Sequence, residues 1–129
     1  MPLYYLSIGS NCHGRRHNVQ RALNRLETLL STVSYSSVYE TPDLYGGPAL
    51  YMNAVVKCRC ALTTSELESL AKRMEIEFGR DEKARLKGEV PLDIDVVICD
   101  GNILRLRDFE AEFFQIGYRE IYNRVFAST

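Results

Sequence analysis

The spacing of apolar residues switches between a period of two and a period near 3.6 along the chain. Leu3 to Ile8 is a short apolar run closed by the turn cluster Gly9-Ser10-Asn11, which predicts a strand. Asn18 then precedes Val19, Leu23, Leu26 and Leu30, a helical spacing with Arg21, Asn24 and Arg25 on the outer side. Val33 to Tyr39 alternates and is rich in Val, Ser and Tyr, so it reads as a strand. The segment from Thr41 through Pro42, Asp43, Leu44, Tyr45, Gly46 and Gly47 to Pro48 continues neither element and predicts a loop. Tyr51 to Cys60 is a second strand, antiparallel to the one before it. Thr63-Thr64-Ser65-Glu66 offers a capping box, and Leu67, Leu70, Met74 and Phe78 repeat behind it at helical intervals. Gly79 opens a charged loop running to Gly88, and an apolar strand containing two aspartates follows. Asp100-Gly101 is a strong hairpin signal, with a short return strand through Leu104 and Leu106. The tail from Phe109 to Phe126 is aromatic and weakly helical.

This order, β-α-β-β-α-β plus a terminal hairpin, predicts an α+β fold. The handedness of crossover connections then gives an antiparallel sheet with both helices on one face, a ferredoxin-like sandwich. At 129 residues the chain is expected to form one domain over residues 1–129. Such a fold hosts many functions, so the chemistry has to come from the sheet face that the helices leave uncovered.

A net charge of −1 supplies no basic field, which argues against nucleic acid as the main partner. No apolar run approaches the length of a membrane span, so no membrane partner is expected. The start Met1-Pro2-Leu3-Tyr4-Tyr5 lacks the basic and apolar regions of a signal peptide, and a cytoplasmic location is expected. The four cysteines fit that compartment. Cys58-x-Cys60 has no second close pair to complete a zinc site, so reduced thiols are expected, with Cys12 the exposed one.

The chemistry-bearing segment is Gly88-Glu89-Val90-Pro91-Leu92-Asp93-Ile94-Asp95-Val96-Val97-Ile98. In a strand, Asp93 and Asp95 point to one face while Leu92, Ile94 and Val96 point to the other. Two like charges so close repel each other unless a cation lies between them, and hard oxygen ligands at this spacing suit Mg²⁺. The alternative is a half-exposed strand carrying two solvated aspartates.

Five segments in order carry a family resemblance: Ile8-Gly9-Ser10-Asn11, then Tyr39-Glu40-Thr41-Pro42-Asp43-Leu44, Tyr51-Met52-Asn53-Ala54, Glu75-Ile76-Glu77-Phe78-Gly79-Arg80 and Pro91-Leu92-Asp93-Ile94-Asp95. On these the chain resembles the 6-hydroxymethyl-7,8-dihydropterin pyrophosphokinases of folate biosynthesis, from residue 3 to about residue 105. The resemblance implies ATP-dependent transfer of diphosphate to the pterin hydroxymethyl group with release of AMP. The partners it implies are small molecules, the dihydropterin and ATP as co-substrate, with two Mg²⁺ ions held by Asp93 and Asp95. It implies a pterin pocket of Thr41, Pro42, Leu44, Tyr51 and Asn53. It places Glu75 beside the nucleotide and Arg80 near the phosphates, with Asp93, Asp95 and Arg80 as the catalytic set. Segments 9–16, 42–50 and 79–90 would close over the site.

The chain departs from the family pattern around the phosphates. Val90 stands where the family has an arginine, Glu82 where it has a second basic residue, and Lys87 where it has an aromatic one. The family carries a histidine and an arginine further downstream, whereas the two histidines of this sequence are His13 and His17, both near its start. Lys83, Arg85 and Lys87 are the candidate replacements on the nucleotide side, with Arg105, Arg107 and Arg119 as further cations. Phe113, Phe114 and Tyr118 are candidates for the missing aromatic partner of the pterin. A non-catalytic relative that binds pterin or nucleotide, and a ferredoxin-like partner module, stay open as alternatives, as does oligomerisation.

Overall fold

The computed structural model describes residues 1–127, with side chains through Arg124. Residues 128 and 129, which the single-domain reading includes, lie outside the described residues. The chain runs β1 (Leu3–Ser10), α1 (Arg15–Leu29), β2 (Thr32–Tyr35), β3 (Tyr39–Pro42), β4 (Leu50–Arg59), α2 (Thr64–Glu77), α3 (Glu82–Leu86), β5 (Asp93–Cys99), β6 (Asn102–Ile103), α4 (Leu106–Glu110) and α5 (Glu112–Ala127). The sheet order is β2-β4-β1-β5-β6, with β3 also paired to β4, and its pairings are antiparallel. This is the ferredoxin-like order, with β2 and β3 together taking the place of one strand.

Alternation along the strands sorts side chains to two faces. Leu6, Ile8, Ala54, Val56, Ile94 and Val96 pack under α1 and α2 with Val19, Leu23, Leu26, Leu67 and Met74, the main core. The α2 start is a capping box: Thr63 Oγ1 accepts from Glu66 N at 3.2 Å, and Glu66 Oε1 accepts from Thr63 N at 2.9 Å. The Asp100-Gly101 hairpin forms as expected, with both residues at positive φ (48° and 79°) as a two-residue turn of this type requires.

The predicted strand from Val33 to Tyr39 is interrupted. Ser36 Oγ accepts from Val55 N at 2.9 Å, so a side chain replaces a ladder carbonyl and separates β2 from β3. Thr41 and Pro42 consequently lie in β3 rather than in a loop. Proline is tolerated there because the strand is at the sheet edge. The predicted return strand is only Asn102–Ile103, since Leu106 already opens α4, and the charged loop contains the short helix α3.

The aromatic tail contributes what the expected topology did not include. While α1 and α2 share one face as predicted, α4 and α5 add a layer on the opposite face. Phe114 and Ile121 are buried there with Tyr5, Val55, Val97 and Ile98, and Phe109 and Tyr118 pack against them. Phe114 and Tyr118 stack with centroids 5.4 Å apart. Gly117 brings α5 close to the sheet: a Cβ at this position would lie 2.7 Å from Val55 Cγ2 and 2.8 Å from Tyr39 Oη. The Tyr39 hydroxyl donates to Phe113 O and accepts from Gly117 N at 3.0 Å, fixing the first turns of the helix. In β5, the extra residue Val97 forms a bulge opposite Tyr5 and Leu6 that lets both Val97 and Ile98 reach this second core.

All four cysteines are free. Cys58 and Cys60 are buried, and Cys99 joins Cys12 at intermediate burial. No helix among the described residues is long and apolar enough to cross a membrane.

Candidate active site

Helix α5 covers only part of its sheet face. At the uncovered end, Gly9 of β1 pairs with Asn53 of β4 and with Asp93 of β5, and Ser7 pairs with Val55 and Asp95. The alternation therefore brings Ser7, Gly9, Asn53, Asp93 and Asp95 to one face, as the aspartate spacing predicts. Two clefts meet there. A larger one of about 750 Å³ is lined by Lys72, Glu75, Arg80, Asp93, Asp95 and Arg105 among others. A smaller one of about 170 Å³ is lined by Thr41, Pro42, Leu44, Tyr51, Asn53, Phe113 and Asp108, together with Asp93, Asp95 and Arg105. The two aspartates and Arg105 belong to both walls.

The smaller pocket is oriented by Asn53, which is almost completely buried. Its Nδ2 donates to Thr41 Oγ1 at 2.7 Å and lies 3.4 Å from the carbonyls of Tyr39 and Tyr51, so these acceptors fix which end of the amide faces them. The Oδ1 end then faces Gly9, where a Cβ would stand 3.4 Å away and narrow the floor. Tyr51 flanks the floor, its hydroxyl held in the neutral form by burial and then by the charges of Asp43 and Asp93. Phe113 supplies an aromatic face from α5, whereas Phe114 is wholly buried in the second core and Tyr118 packs there as well. Arg107 sits 4.9 Å over the Tyr45 ring, joining α4 to the loop that borders the pocket.

The larger cleft is polar. Arg80 Nη1 donates to Asp93 Oδ1 at 2.8 Å and lies 3.2 Å from Glu75 Oε1 and 3.4 Å from Leu92 O. Burial works against the charge on this guanidinium, but the bond to Asp93 and the surrounding carboxylates keep it charged. Glu75 Oε2 accepts from Ile94 N at 2.9 Å; burial raises its carboxyl above the ordinary value, while that bond and Arg80 oppose the shift. Asp95 is the most perturbed group of the site. Burial first, and then the charge of Asp93, push its carboxyl up to about 7, with Arg105 at 3.8 Å opposing. A carboxylate pair so held is short of positive charge, which fits a hard divalent cation. Magnesium asks for only one or two carboxylates, with water and phosphate oxygens filling the other positions.

The approach to β5 is clamped by two asparagines whose roles were not read from sequence. Asn11 Oδ1 accepts from Val90 N at 2.6 Å, and Asn11 N donates to Val90 O at 3.0 Å. Asn18 Nδ2 donates to Pro91 O at 3.1 Å. Asn18 therefore works from inside α1, which begins at Arg15 and not after Asn18.

Two adjoining clefts with a shared carboxylate pair suit a reaction between two bound molecules, and family membership narrows which reaction. Residues 5–128 match the family described as 7,8-dihydro-6-hydroxymethylpterin-pyrophosphokinase (HPPK). The chain belongs to the HPPK family. It is 30% identical over 108 residues to a protein of Aquifex aeolicus named 2-amino-4-hydroxy-6-hydroxymethyldihydropteridine pyrophosphokinase, covering 83% of this chain and 67% of that one. A Porphyromonas gingivalis protein of the same name is 32% identical over 102 residues, 76% of this chain and 69% of its own length. The chain is also similar to the folate synthesis bifunctional protein of Arabidopsis thaliana, at 30% identity over 94 residues, 71% of this chain and 19% of that protein.

The residues expected from the HPPK resemblance, and those expected to replace its cations, divide clearly. Thr41, Pro42, Leu44, Tyr51 and Asn53 come together in the smaller pocket, and Glu75 and Arg80 line the larger cleft. Lys83, Arg85 and Lys87 lie on and just after α3, and none of them lines either cleft. Arg85 is bonded to Glu82 and borders a separate hollow with Gly88 and Val90. Ser7 and Asp108 join the site without having been singled out. Ser7 is invisible in a strand pattern, and Asp108 depends on how the tail folds back.

Proposed function

We propose that the protein transfers diphosphate from ATP to the hydroxymethyl group of 6-hydroxymethyl-7,8-dihydropterin, releasing AMP, as a cytoplasmic step of folate synthesis within a single domain. One observation carries this reading: a pocket sized for a flat ring and a larger polar cleft share one wall, and that wall is the carboxylate pair. The pterin ring fits between Tyr51 and Phe113, with Asn53 Oδ1 accepting from its amino edge. The nucleotide fits the larger cleft, where Ile94 N–H already points outward to Glu75. Strand alternation turns the N–H and C=O of Val96 the same way, a donor and an acceptor for a purine edge. The triphosphate then runs toward Asp93 and Asp95.

In the transfer, the hydroxymethyl oxygen forms a bond to the β-phosphorus and the bond from that phosphorus to the bridging oxygen breaks. The electron pair leaves on the α-phosphate of AMP, and the hydroxyl proton is lost to solvent. Catalysis of this kind is mainly positioning and charge neutralisation. Asp93 and Asp95 would hold Mg²⁺, two ions by family resemblance, and the bound metal supplies neutralisation of phosphate charge. Arg80 fixes Asp93, and Glu75 fixes both Arg80 and the β5 backbone. Lys83, Arg85 and Lys87 reach the phosphates only if segment 79–90 folds over the cleft.

The test is AMP formation from ATP, Mg²⁺ and the hydroxymethyl dihydropterin, with Asp95→Ala beside the parent. Pterin-dependent AMP that disappears in the variant supports the reading. Binding of both ligands by a folded parent without AMP would leave a non-catalytic relative.

A further inference from the structure

We propose that Arg105 is the cation that meets the triphosphate where the two clefts join, with Asp108 as its positioning residue. The assignment rests on the diphosphate-transfer reading above and names a group that the reading lacks. Two arginines stand at the carboxylate pair, and their surroundings differ. Arg80 lines only the larger cleft and is committed to Asp93, Glu75 and the Leu92 carbonyl. Arg105 lines both clefts. Its Nε donates to Asp108 Oδ2 at 2.5 Å and lies 3.8 Å from Asp95 Oδ1. Among the described residues, its two terminal nitrogens take no partner. With the side chain 52% exposed, those donors remain free for a ligand.

The position follows from the fold. The Asp100-Gly101 turn reverses the chain beside β5, and Leu104 N bonds Val97 O at 2.8 Å, so the next residue is delivered to the aspartate face. Arg105 then stands immediately before α4 without a side-chain capping bond, and Asp108, three residues on, draws the guanidinium back toward Asp95. The β-phosphorus has to sit between nucleotide and pterin, which is the wall these residues share. As its bond to the bridging oxygen breaks, charge builds on the departing α-phosphate. A fork of free N–H groups beside that oxygen stabilises it.

The experiment compares the parent with Arg105→Met, Arg105→Lys and Asp108→Asn. Calorimetry measures binding of the ATP analogue with a methylene between the α- and β-phosphates, in Mg²⁺, and a coupled assay follows pterin-dependent AMP. Arg105→Met should bind the analogue at least about fivefold more weakly and turn over roughly 10²–10³-fold more slowly. Arg105→Lys should recover part of both, because it keeps the charge but not the fork. Asp108→Asn should slow turnover about tenfold in the parent and hardly at all in the Arg105→Met background, since its effect passes through the arginine. Melting curves establish that each variant is folded. Analogue binding and turnover of Arg105→Met both within about twofold of the parent would overturn the proposal. A parent that makes no AMP would sink the transfer reading, yet unchanged analogue binding in Arg105→Met would still overturn the role of Arg105, and weakened binding would support it.

Discussion

Replacing Asp95 by Asn should stabilise the metal-free protein above neutral pH while abolishing turnover. Asp95 holds its proton to about pH 7 in the folded protein, against an ordinary value of 3.8, because it is buried and faces Asp93. The folded state thus binds this proton more tightly than the unfolded chain does. The associated stability is fully present below about pH 4 and is lost as the pH rises through 7. Between pH 5 and pH 7 the difference spans two units, at most about 2.7 kcal/mol. The Asp95 side chain is 26% exposed and Arg105 offsets part of the repulsion, so the observed gain should be about 1–2 kcal/mol. For a chain of this length that is a rise in Tm of roughly 4–8 °C. Thermal melts in a chelator at pH 5 and pH 8 read it directly. Asp95→Asn should melt above the parent at pH 8, and the gap should narrow at pH 5, where the parent carboxyl is already neutral. Adding Mg²⁺ at pH 8 should raise the parent more than the variant. A gap of equal size at both pH values, or a folded variant that melts below the parent at pH 8, would refute the account.

Neighbouring phenylalanines should separate into two classes. Phe113→Ala should weaken pterin affinity with little change in Tm, whereas Phe114→Ala, at a fully buried position, should cost about 3–5 kcal/mol in denaturant titrations. Gly117→Ala should cost about 1–3 kcal/mol, because the new methyl collides with Val55 and Tyr39 and lifts α5. Loss of pterin binding in Gly117→Ala should accompany that shift, and equal stability and affinity to the parent would show that α5 has room to spare.

Features governed by nearby residues were legible in the sequence. The Thr63–Glu66 capping box, the Asp100-Gly101 turn and the opposite facing of Asp93/Asp95 and Ile94/Val96 need only a few consecutive residues to specify them. The pterin-side set of Thr41, Pro42, Leu44, Tyr51 and Asn53 came from family resemblance, and the fold brings those residues to one pocket. What escaped depends on distant partners. Ser36 breaks a strand only because Val55 N finds its hydroxyl, and Val97 bulges only because β1 and the second core both draw on β5. The tail carries Phe114, Tyr118 and Ile121 at helical spacing, but Gly117 in its middle weakens the helical signal. That glycine makes sense once the sheet beneath it is known. Similarly, no motif distinguishes Arg105 from Arg107, and only the turn after β5 decides that the first faces the aspartates and the second faces Tyr45.

The two cores of the sheet have unequal depth. The layer under α1 and α2 is broad, while the α5 layer rests on a smaller mixed cluster of Tyr5, Val55, Val97, Ile98, Phe114 and Ile121. Segments held by fewer buried contacts open at lower free energy than the molecule as a whole. Phe113 and Asp108 belong to the shallow layer, whereas Asp93 and Asp95 are carried by the strand that also packs into the deep one. The site is therefore expected to behave as two cooperative units, its aromatic wall opening to solvent while the carboxylates stay in place. Amide hydrogen exchange should find α5 opening well before β1, β4 and β5, and protection as high in α5 as in those strands would show that the layers unfold as one.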